Sequence, residues 1–330
     1  NKVIKLSSID FKSTLKIITT KNDLETKRII KTNKLNTAII ATPDHLHFSH
    51  AKICISLGMY ILVMKPLTPT LKEAKHLYKI AKQNNVFNVV EFHKRKDRAN
   101  LILKRELNTK SLGQLLYSIV EYSQRKEVPT KFFQKWNEKT TILQYLGVHY
   151  IDLMFYLTKA KPISVMATAQ NGWLRENGIK NYDAIQCHIQ WQTGIKQTFT
   201  QSLFVNWIDP NNSSAASNQK IKLIGTKGRI ESNQKSRGVL INTDKYGIEE
   251  PNPDFSMAYQ DDKNSITWKG YGIENISSFL NGSYKIINNL ITLQELNLSH
   301  STFKDALVST AIIEAAHKSL KSGSKWIKMK

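Results

Sequence analysis

The segment Met64-Lys65-Pro66 comes directly after the apolar run Tyr60–Val63, which predicts a short buried β-strand. Proline has no backbone N–H and forces the chain out of a strand, so we expect Lys65 at the strand's tip. An ammonium group held there can hydrogen-bond an alcohol and stabilise negative charge on its oxygen during oxidation. A lysine after a strand is more often a solvated surface residue, and this interpretation stays open on these residues alone.

The loop Ala41–His47, with the sequence ATPDHLH, follows a second apolar run and precedes a predicted helix. In an open parallel sheet, ligands bind beyond the carboxyl ends of the strands, so this loop is placed to touch a ligand. The same residues also suit a helix-capping loop, with Asp44 as the cap and Pro43 fixing the turn. Both interpretations stay open. The candidate ligand contacts of this loop are Thr42, Pro43 and His47.

The apolar run Thr141–Leu157 predicts a helix that carries His149 and Asp152, three residues apart and therefore on one face. An imidazole titrates near neutral pH and can accept a proton from a substrate hydroxyl, with the carboxylate of Asp152 orienting the ring or capping a neighbouring element. The alternative is a buried, hydrogen-bonded His–Asp pair with a structural role. The histidines of the earlier loop lack acidic or cysteine ligands at useful spacing, so no metal site is expected.

The pattern of apolar runs predicts an α/β fold: a partial Rossmann-type parallel sheet domain over residues 1–97, then an α+β domain over residues 98–330 with a large, mainly antiparallel open sheet. Asn233–Asn264 is rich in Asn, Asp, Pro and Gly, and predicts a long surface loop. The predicted strands are Leu15–Thr19, Thr37–Ala41, Tyr60–Val63, Val86–Val90, Leu115–Tyr122, Asp183–Gln192, Ile195–Phe204, Gln219–Ile224 and Gly228–Ser232. The predicted helices are Asp23–Thr32, His47–Leu57, Thr70–Asn84, Arg98–Asn108, Thr141–Leu157 and the closing helix Phe303–Ser319.

Dinucleotide-binding folds usually open with a strand, a GxGxxG loop and a helix, because the glycines let the backbone approach the diphosphate. None of the 14 glycines gives this motif. The predicted strands fit the later part of such a domain, and the chain begins with Asn1 rather than Met. We therefore expect the glycine loop and the elements around it to be encoded upstream, with this chain N-terminally truncated.

The net charge of +22 raises the possibility of nucleic-acid binding. Of the 48 basic residues 40 are lysines, and they are scattered rather than interleaved with aromatics, so we expect no nucleic-acid partner and consider an anionic small molecule a better match. No apolar stretch reaches the roughly 20 residues that cross a bilayer, so no membrane partner is expected. The two cysteines, Cys54 and Cys187, predict free buried thiols in a reducing, cytoplasmic compartment.

Three segments, in this order, make the chain resemble the Gfo/Idh/MocA oxidoreductase family. Ala41–His47 resembles its ATPxxxH loop, Met64-Lys65-Pro66 its EKP motif, and Gly147–Asp152 its GxHxxD helix. Each motif is weak alone, but the joint order and spacing are fairly specific. The segment Glu91–Arg95 falls where the family often carries an aromatic or basic stretch.

The resemblance implies NAD or NADP as cofactor, and hydride transfer to or from a sugar, polyol or nucleotide-sugar carbon. It also implies a small carbohydrate-like substrate and a homo-oligomer, a dimer or tetramer, formed through the open sheets. By the same resemblance, the catalytic residues would be Lys65, His149 and Tyr145; the cofactor contacts Thr42, Pro43, His47, Lys65 and His93; and the substrate contacts Lys65, Asp152 and His149.

Two departures from the family pattern motivate an alternative. The glutamate of the EKP motif is Met64 here, and the aspartate expected four residues before the helix histidine is Tyr145. A phenol has a pKa of about 10 and is a poor substitute for a carboxylate at neutral pH. Together with the absent glycine loop, these changes suggest a non-catalytic ligand-binding or scaffold relative as the rival of an enzyme.

Overall fold

The computed structural model describes residues 18, 20–236, 239, 241–244, 247–250, 252–262 and 264–329. The predicted strand Leu15–Thr19 lies outside the described residues, apart from Ile18. Within the described part of the chain, no helix combines the length and the apolar character needed to span a bilayer.

The first half of the chain forms a three-stranded parallel sheet with helices between the strands, as predicted. Polar side chains cap the N-termini of two of these helices. Asn22 accepts a hydrogen bond from the backbone amide of Glu25, and Thr70 accepts one from the backbone amide of Glu73. In the sheet, Met64 pairs with Glu91, so the chain segments that follow these residues leave from the same edge. The strands are β1 (Thr37–Ile40), β2 (Tyr60–Met64) and β3 (Asn88–Glu91), and the helices are α1 (Asp23–Thr32), α2 (His47–Ser56) and α3 (Leu71–Gln83).

The second half is built on a seven-stranded sheet that is antiparallel except for one parallel pair, which confirms the predicted fold class. Its strands are β4 (Leu115–Arg125), β5 (Lys161–Gln170), β6 (Ala184–Gln192), β7 (Thr198–Asp209), β8 (Ser217–Gly225), β9 (Arg229–Asn233) and β14 (Ile327–Lys328), in the order β14-β5-β6-β7-β4-β8-β9, with β4 and β7 parallel. The described helices of this half are α4 (Arg98–Asn108), α5 (Val148–Thr158), α6 (Trp173–Glu176), α7 (Tyr271–Ile287), α8 (Leu293–Ser299) and α9 (Phe303–Lys321).

The prediction of one long loop over Asn233–Asn264 was wrong. Its described residues include β10 (Ile241–Thr243), which pairs with β11 (Gly247–Glu249). They also include β12 (Met257–Gln260), which pairs with β13 (Ile266–Lys269). The side chains of β13 are all exposed, so this strand carries no alternation of buried and solvent-facing residues that a sequence pattern could detect.

The closing helix α9 packs against both sheets. It contacts α3 and β3 of the parallel sheet on one side and β5 of the large sheet on the other. Phe303, at its start, donates its amide to the side chain of Asn88, and Glu314 accepts from the amide of Leu71. The apolar core is consequently continuous across the two halves and holds the segments that carry the candidate site at fixed positions.

Candidate functional site

Lys65 is 9% exposed and follows directly after β2 at the carboxyl edge of the parallel sheet. Its Nζ donates to the backbone oxygen of Tyr145 at 2.6 Å and lies 3.7 Å from the centre of the Tyr145 ring. Burial lowers the pKa of Lys65 to about 8, although the carboxylates of Asp44 and Glu91 act to raise it. The interpretation of Lys65 as a solvated surface lysine is therefore excluded.

Tyr145 reaches Lys65 because the chain forms a π-helical turn, Leu143–Gly147, immediately before α5. Such turns widen the helix locally and are frequent at functional sites. A Cβ atom on Gly147 would lie 2.6 Å from Cδ1 of Leu143, so glycine lets the turn close tightly. The sequence pattern predicted an unbroken helix here, because backbone widening leaves no mark on apolar periodicity.

Asp44 holds the Ala41–His47 loop against the segment that leads to Tyr145. Its Oδ2 accepts from the hydroxyl of Thr140 at 2.8 Å and from the side-chain Nε2 of Gln144 at 3.0 Å. A carboxylate that is buried and doubly bonded in this way supplies fixed negative charge close to Lys65. The sequence interpretation treated Asp44 only as a possible helix cap and missed this link.

The hydroxyl of Tyr145 is not poised for proton transfer at neutral pH. Burial, reinforced by the charge of Asp44, raises the pKa of Tyr145 to about 12. Its ring packs at 4.5 Å from Phe133 and 6.4 Å from Trp207, measured between ring centres. The role this geometry favours for Tyr145 is to hold Lys65 with its carbonyl and ring face, so its predicted catalytic role stays a prediction.

His149, on α5, is buried beside Lys65 and has a neutral ring in this environment. Burial, followed by electrostatic interactions with Lys65, His93 and Lys94, lowers the pKa of His149 well below its ordinary value. Its Nδ1 is buried and has no hydrogen-bond partner among the described residues. An unprotonated imidazole with an uncommitted nitrogen is able to accept a proton.

His93 lies against His149, with the two ring centres 4.6 Å apart. Its Nδ1 bonds the carboxylate of Glu91 at 2.8 Å, and that carboxylate also accepts from Asn275. Phe255 and Tyr271 lie edge-on or tilted against the His93 ring, at 5.3 and 5.5 Å. The structure thus brings the predicted residues Lys65, Tyr145, His149 and His93 into one centre, covered in part by aromatic rings.

His47 ties the two loops of this edge together. Its Nδ1 bonds the carbonyl oxygen of Pro66 and its Nε2 that of Thr42, both at 2.8 Å. The Thr42 hydroxyl lies 3.3 Å from Nδ1 of His50. Because both ring nitrogens of His47 already bond the chain, the geometry favours a bracing role for it. The predicted cofactor contacts of Thr42, Pro43 and His47 stay predictions.

Asp152 does not pair with His149, contrary to the orienting role expected from their spacing. Both of its carboxylate oxygens accept from Arg95, at 2.8 and 2.6 Å, and Arg95 also donates to Asp305 at 2.9 Å. This buried cluster joins the segment after β3 to α5 and α9. In the structure Asp152 forms an ion pair with Arg95, and its substrate-binding role stays a prediction.

The sequence interpretation missed several side chains around the centre, for different reasons. Glu91 ends a buried strand next to His93, and a carboxylate at that position is a detectable signal. Arg95 was included in the segment Glu91–Arg95 that resembles the family, but no pattern indicated its carboxylate partners Asp152 and Asp305. Phe255 and Tyr271 come from more than 150 residues further along the chain, and no local pattern indicates that they meet His93.

The residues at this edge fit the reactive end of a nicotinamide cofactor. Buried ring nitrogens of His45 and His149 have no partner among the described residues, and the buried cation Lys65 lies in the same region. A polar ring with an amide and a ribose would supply partners for such groups. The sequence holds no GxGxxG for the diphosphate. Within the part of the chain that is described, no three His, Cys, Asp or Glu side chains are grouped to hold a metal ion.

Comparison with known proteins finds relatives that are named as dehydrogenases. Scyllo-inositol 2-dehydrogenase (NADP(+)) IolW of Bacillus subtilis is 30% identical over 151 residues, which are 44% of this chain and 42% of IolW. Levoglucosan dehydrogenase of Pseudarthrobacter phenanthrenivorans is 26% identical over 47% of this chain and 40% of its own length. The chain thus spans less than half the length of these two curated relatives.

The fold is shared with a solved structure, scyllo-inositol dehydrogenase from Lactobacillus casei with bound NAD(H) and scyllo-inositol. The TM-score is 0.67 with 15% identity, over 92% of this chain and 82% of that one. Residues 6–92 match the model of the oxidoreductase family with an NAD-binding Rossmann fold, and residues 101–231 match the GFO/IDH/MocA C-terminal domain. Both parts of the family architecture are therefore present in their usual order, and the chain belongs to the Gfo/Idh/MocA family of oxidoreductases.

Proposed function

We propose that the protein is an NAD(P)-dependent oxidoreductase that interconverts a hydroxyl and a carbonyl group on a sugar, polyol or nucleotide sugar. The observation that carries the proposal is the buried ammonium of Lys65, whose pKa is lowered to about 8, next to the neutral imidazole of His149. Strongly shifted pKa values of this kind cluster at catalytic centres.

Two groups of this chain divide the proton chemistry between them. Lys65 donates a hydrogen bond to the substrate oxygen and stabilises the negative charge that develops there. His149 accepts the hydroxyl proton in the oxidative direction and returns it in the reductive direction. The cofactor, when bound, accepts or supplies the hydride. His93 and Glu91 hold the imidazole face of His149, and Tyr145 fixes the lysine.

The substrate class is supported by the relatives and by the site. The relatives include a scyllo-inositol dehydrogenase and a levoglucosan dehydrogenase, whose names point to a cyclic polyol and an anhydrosugar. Phe255 and Tyr271, beside His93, offer ring faces on which the C–H face of a cyclic polyol packs well. The proposed cofactor contacts are Thr42, Pro43, His47, Lys65 and His93, and the proposed substrate contacts are Lys65, His149 and Asp152.

The test is a dehydrogenase assay with inositols, aldoses and nucleotide sugars, following absorbance of the reduced cofactor with NAD and with NADP. Lys65→Met keeps the side-chain length and removes the cation, and we expect kcat to fall by roughly 100- to 10,000-fold. Lys75→Met, the same change at an exposed position of α3, should leave kcat unchanged. Turnover in Lys65→Met close to that of the parent protein would show that the centre is misplaced.

The second candidate function is a ligand-binding or scaffold relative without catalysis. It is favoured by the 2.6 Å hydrogen bond that commits Lys65 to the Tyr145 carbonyl, and by Met64 in place of the family's glutamate. The two candidates separate on the same panel of compounds. A thermal shift by a polyol without any turnover supports the scaffold, whereas turnover excludes it.

The setting of the protein is also a proposal. We place it in the cytoplasm, because burial raises the pKa of the Cys54 thiol to about 11 and that of Cys187 to about 12, which keeps both as unreactive free thiols. A homo-oligomer would form on the outer face of the large sheet, where Phe204 is exposed beside His188. Light scattering of the parent protein and of Phe204→Glu tests this.

The domain boundary is proposed between residues 97 and 98.

A further inference from the structure

A groove of about 950 Å³ runs along β3, the outer strand of the parallel sheet, from Asn85 and Val86 before the strand to Arg95 and Lys96 after it. It is bordered by the ends of α3 and α5, by α4 and α8, and by the first turn of α9. The acidic side chain among its described lining residues is Asp305, which already accepts from Arg95 at 2.9 Å. The lysines that line it are Lys82, Lys96, Lys104, Lys159 and Lys304.

These five lysines are not neutralised by carboxylates. Within the part of the chain that is described, none of them makes an ion pair shorter than 4.0 Å. Lys104 and Lys159 lie over the ring of Tyr156, at 3.9 and 5.5 Å from its centre, and Arg95 lies 5.1 Å from it. Cations gathered on one concave surface repel each other and attract a soluble anion.

The first turn of α9 provides a second feature of the groove that favours an anion, independent of the lysines. Thr302, the residue before this 19-residue helix, is 8% exposed and lines the groove, yet its hydroxyl caps no amide and has no other partner among the described residues. The amides of Lys304 and Asp305 are likewise without a partner there. A hydroxyl and free amides at the start of a long helix form a site for a phosphate or carboxylate group.

We propose that this groove binds a small organic phosphate ester at a site separate from the alcohol-oxidising centre. The phosphate oxygens accept from the Thr302 hydroxyl and from the first amides of α9, and the surrounding lysines compensate the charge. The volume suits a ligand of the size of a sugar phosphate or a mononucleotide. A polymer such as RNA is disfavoured, because the features that select an anion converge on one helix terminus instead of following an extended path.

The test is calorimetric titration of the full chain with glycerol 3-phosphate and with inorganic phosphate, at constant ionic strength. We expect saturable binding to the parent protein, and at least tenfold weaker binding to Thr302→Val and to Lys304→Gln. Lys318→Gln removes the same charge from an exposed position near the other end of α9 and should bind like the parent. Lys65→Met should also bind like the parent, because Lys65 does not line the groove.

Several outcomes would overturn the proposal. They are the absence of saturable binding, an equal loss in Lys318→Gln, and a loss in Lys65→Met, which would assign the binding to the other centre. Binding of a single-stranded oligonucleotide that is unchanged in Thr302→Val would assign the charge to a polymer partner and also overturn it. Melting temperatures of all variants without phosphate establish that each is folded, and Thr302→Ser, which keeps the hydroxyl, should restore the affinity.

Discussion

At the scale of single residues, the centre depends on one cation kept away from water. Lys65 has a carbonyl and a ring face as its nearest partners, and both stabilise a cation without neutralising it. Asp44 and Glu91 act on its pKa without touching it, so the ammonium stays able to lose its proton near physiological pH. The lysine is therefore chemically unlike the exposed lysines that dominate the composition.

The pH dependence of the reaction should report this lysine. In the proposed role Lys65 acts as an ammonium, so kcat/KM for alcohol oxidation should decline as the pH rises through about 8 and the ammonium deprotonates. His149 is already neutral at that pH, so it contributes no change to this limb. Initial rates between pH 6 and pH 10 measure the decline.

Lys65→Arg provides the control for that profile. A guanidinium stays charged throughout this range, so the variant should be slower but should lose the decline near pH 8. A parent rate that instead rises through pH 8 would show that the neutral amine of Lys65 is the active form, and would reassign the proton acceptor from His149 to Lys65.

At the scale of elements, a buried ionic cluster fixes the helix that carries His149. Arg95 follows β3, Asp152 lies on α5 one turn after His149, and Asp305 is in the first turn of α9. Three elements that are distant in sequence are thereby held at one point. The desolvation of such a cluster offsets much of its attraction, so its clearest effect is to define which arrangement of the elements is stable.

Removing Arg95 should be strongly destabilising. Arg95→Met leaves the carboxylate of Asp152 buried without its partner, and we expect the free energy of unfolding to fall by about 3 to 5 kcal/mol. Arg105→Met, which breaks the exposed pair with Glu106, should change it by less than about 1 kcal/mol. The double variant Arg95→Met/Asp152→Leu should recover much of the loss in urea unfolding. If it is no more stable than the single variant, the uncompensated charge is not the cause.

The sequence predicts a feature well when the residues that cause it lie within one segment, and poorly when they lie in distant segments. The bounds of α1 and α4 were predicted correctly, because caps and apolar periodicity are encoded within each segment. The loop and strand ends around Lys65 were also predicted, because parallel strands place their carboxyl ends together. The partners of Asp152 and His93 were not, since Arg95, Phe255 and Tyr271 reach them through tertiary packing.

At the scale of the whole molecule, buried neutral histidines make the fold sensitive to acid. Burial lowers the pKa of His317, on α9, from its ordinary 6.5 to about 4, and that of His149 lies well below its ordinary value. Between the lowered pKa of the folded chain and the ordinary pKa of 6.5 in the unfolded chain, the unfolded chain binds protons that the folded chain does not. The contribution of these neutral histidines to the free energy of unfolding is therefore fully present above pH 6.5 and is lost as the pH falls.

His317 alone should account for a measurable part of this loss. Its pKa difference corresponds to about 3 kcal/mol between pH 6.5 and pH 4, at roughly 1.4 kcal/mol per pH unit. His317→Gln should flatten the fall of the unfolding free energy in this range, whereas His76→Gln, at an exposed position of α3, should not. Equal slopes for the parent and His317→Gln in urea titrations at several pH values would contradict the assignment.

The position of α9 long after the parallel sheet in the sequence has a consequence for how the protein is made. The helix contacts α3 and β3, yet Phe303 is translated about 210 residues after β3 ends at Glu91. Until then, the side chains of α3 that face α9 have no cover, so we expect the nascent sheet to expose apolar surface. Stalled nascent chains that stop before Phe303 should accordingly be protease-sensitive over the parallel sheet, although every residue of that sheet has already been translated.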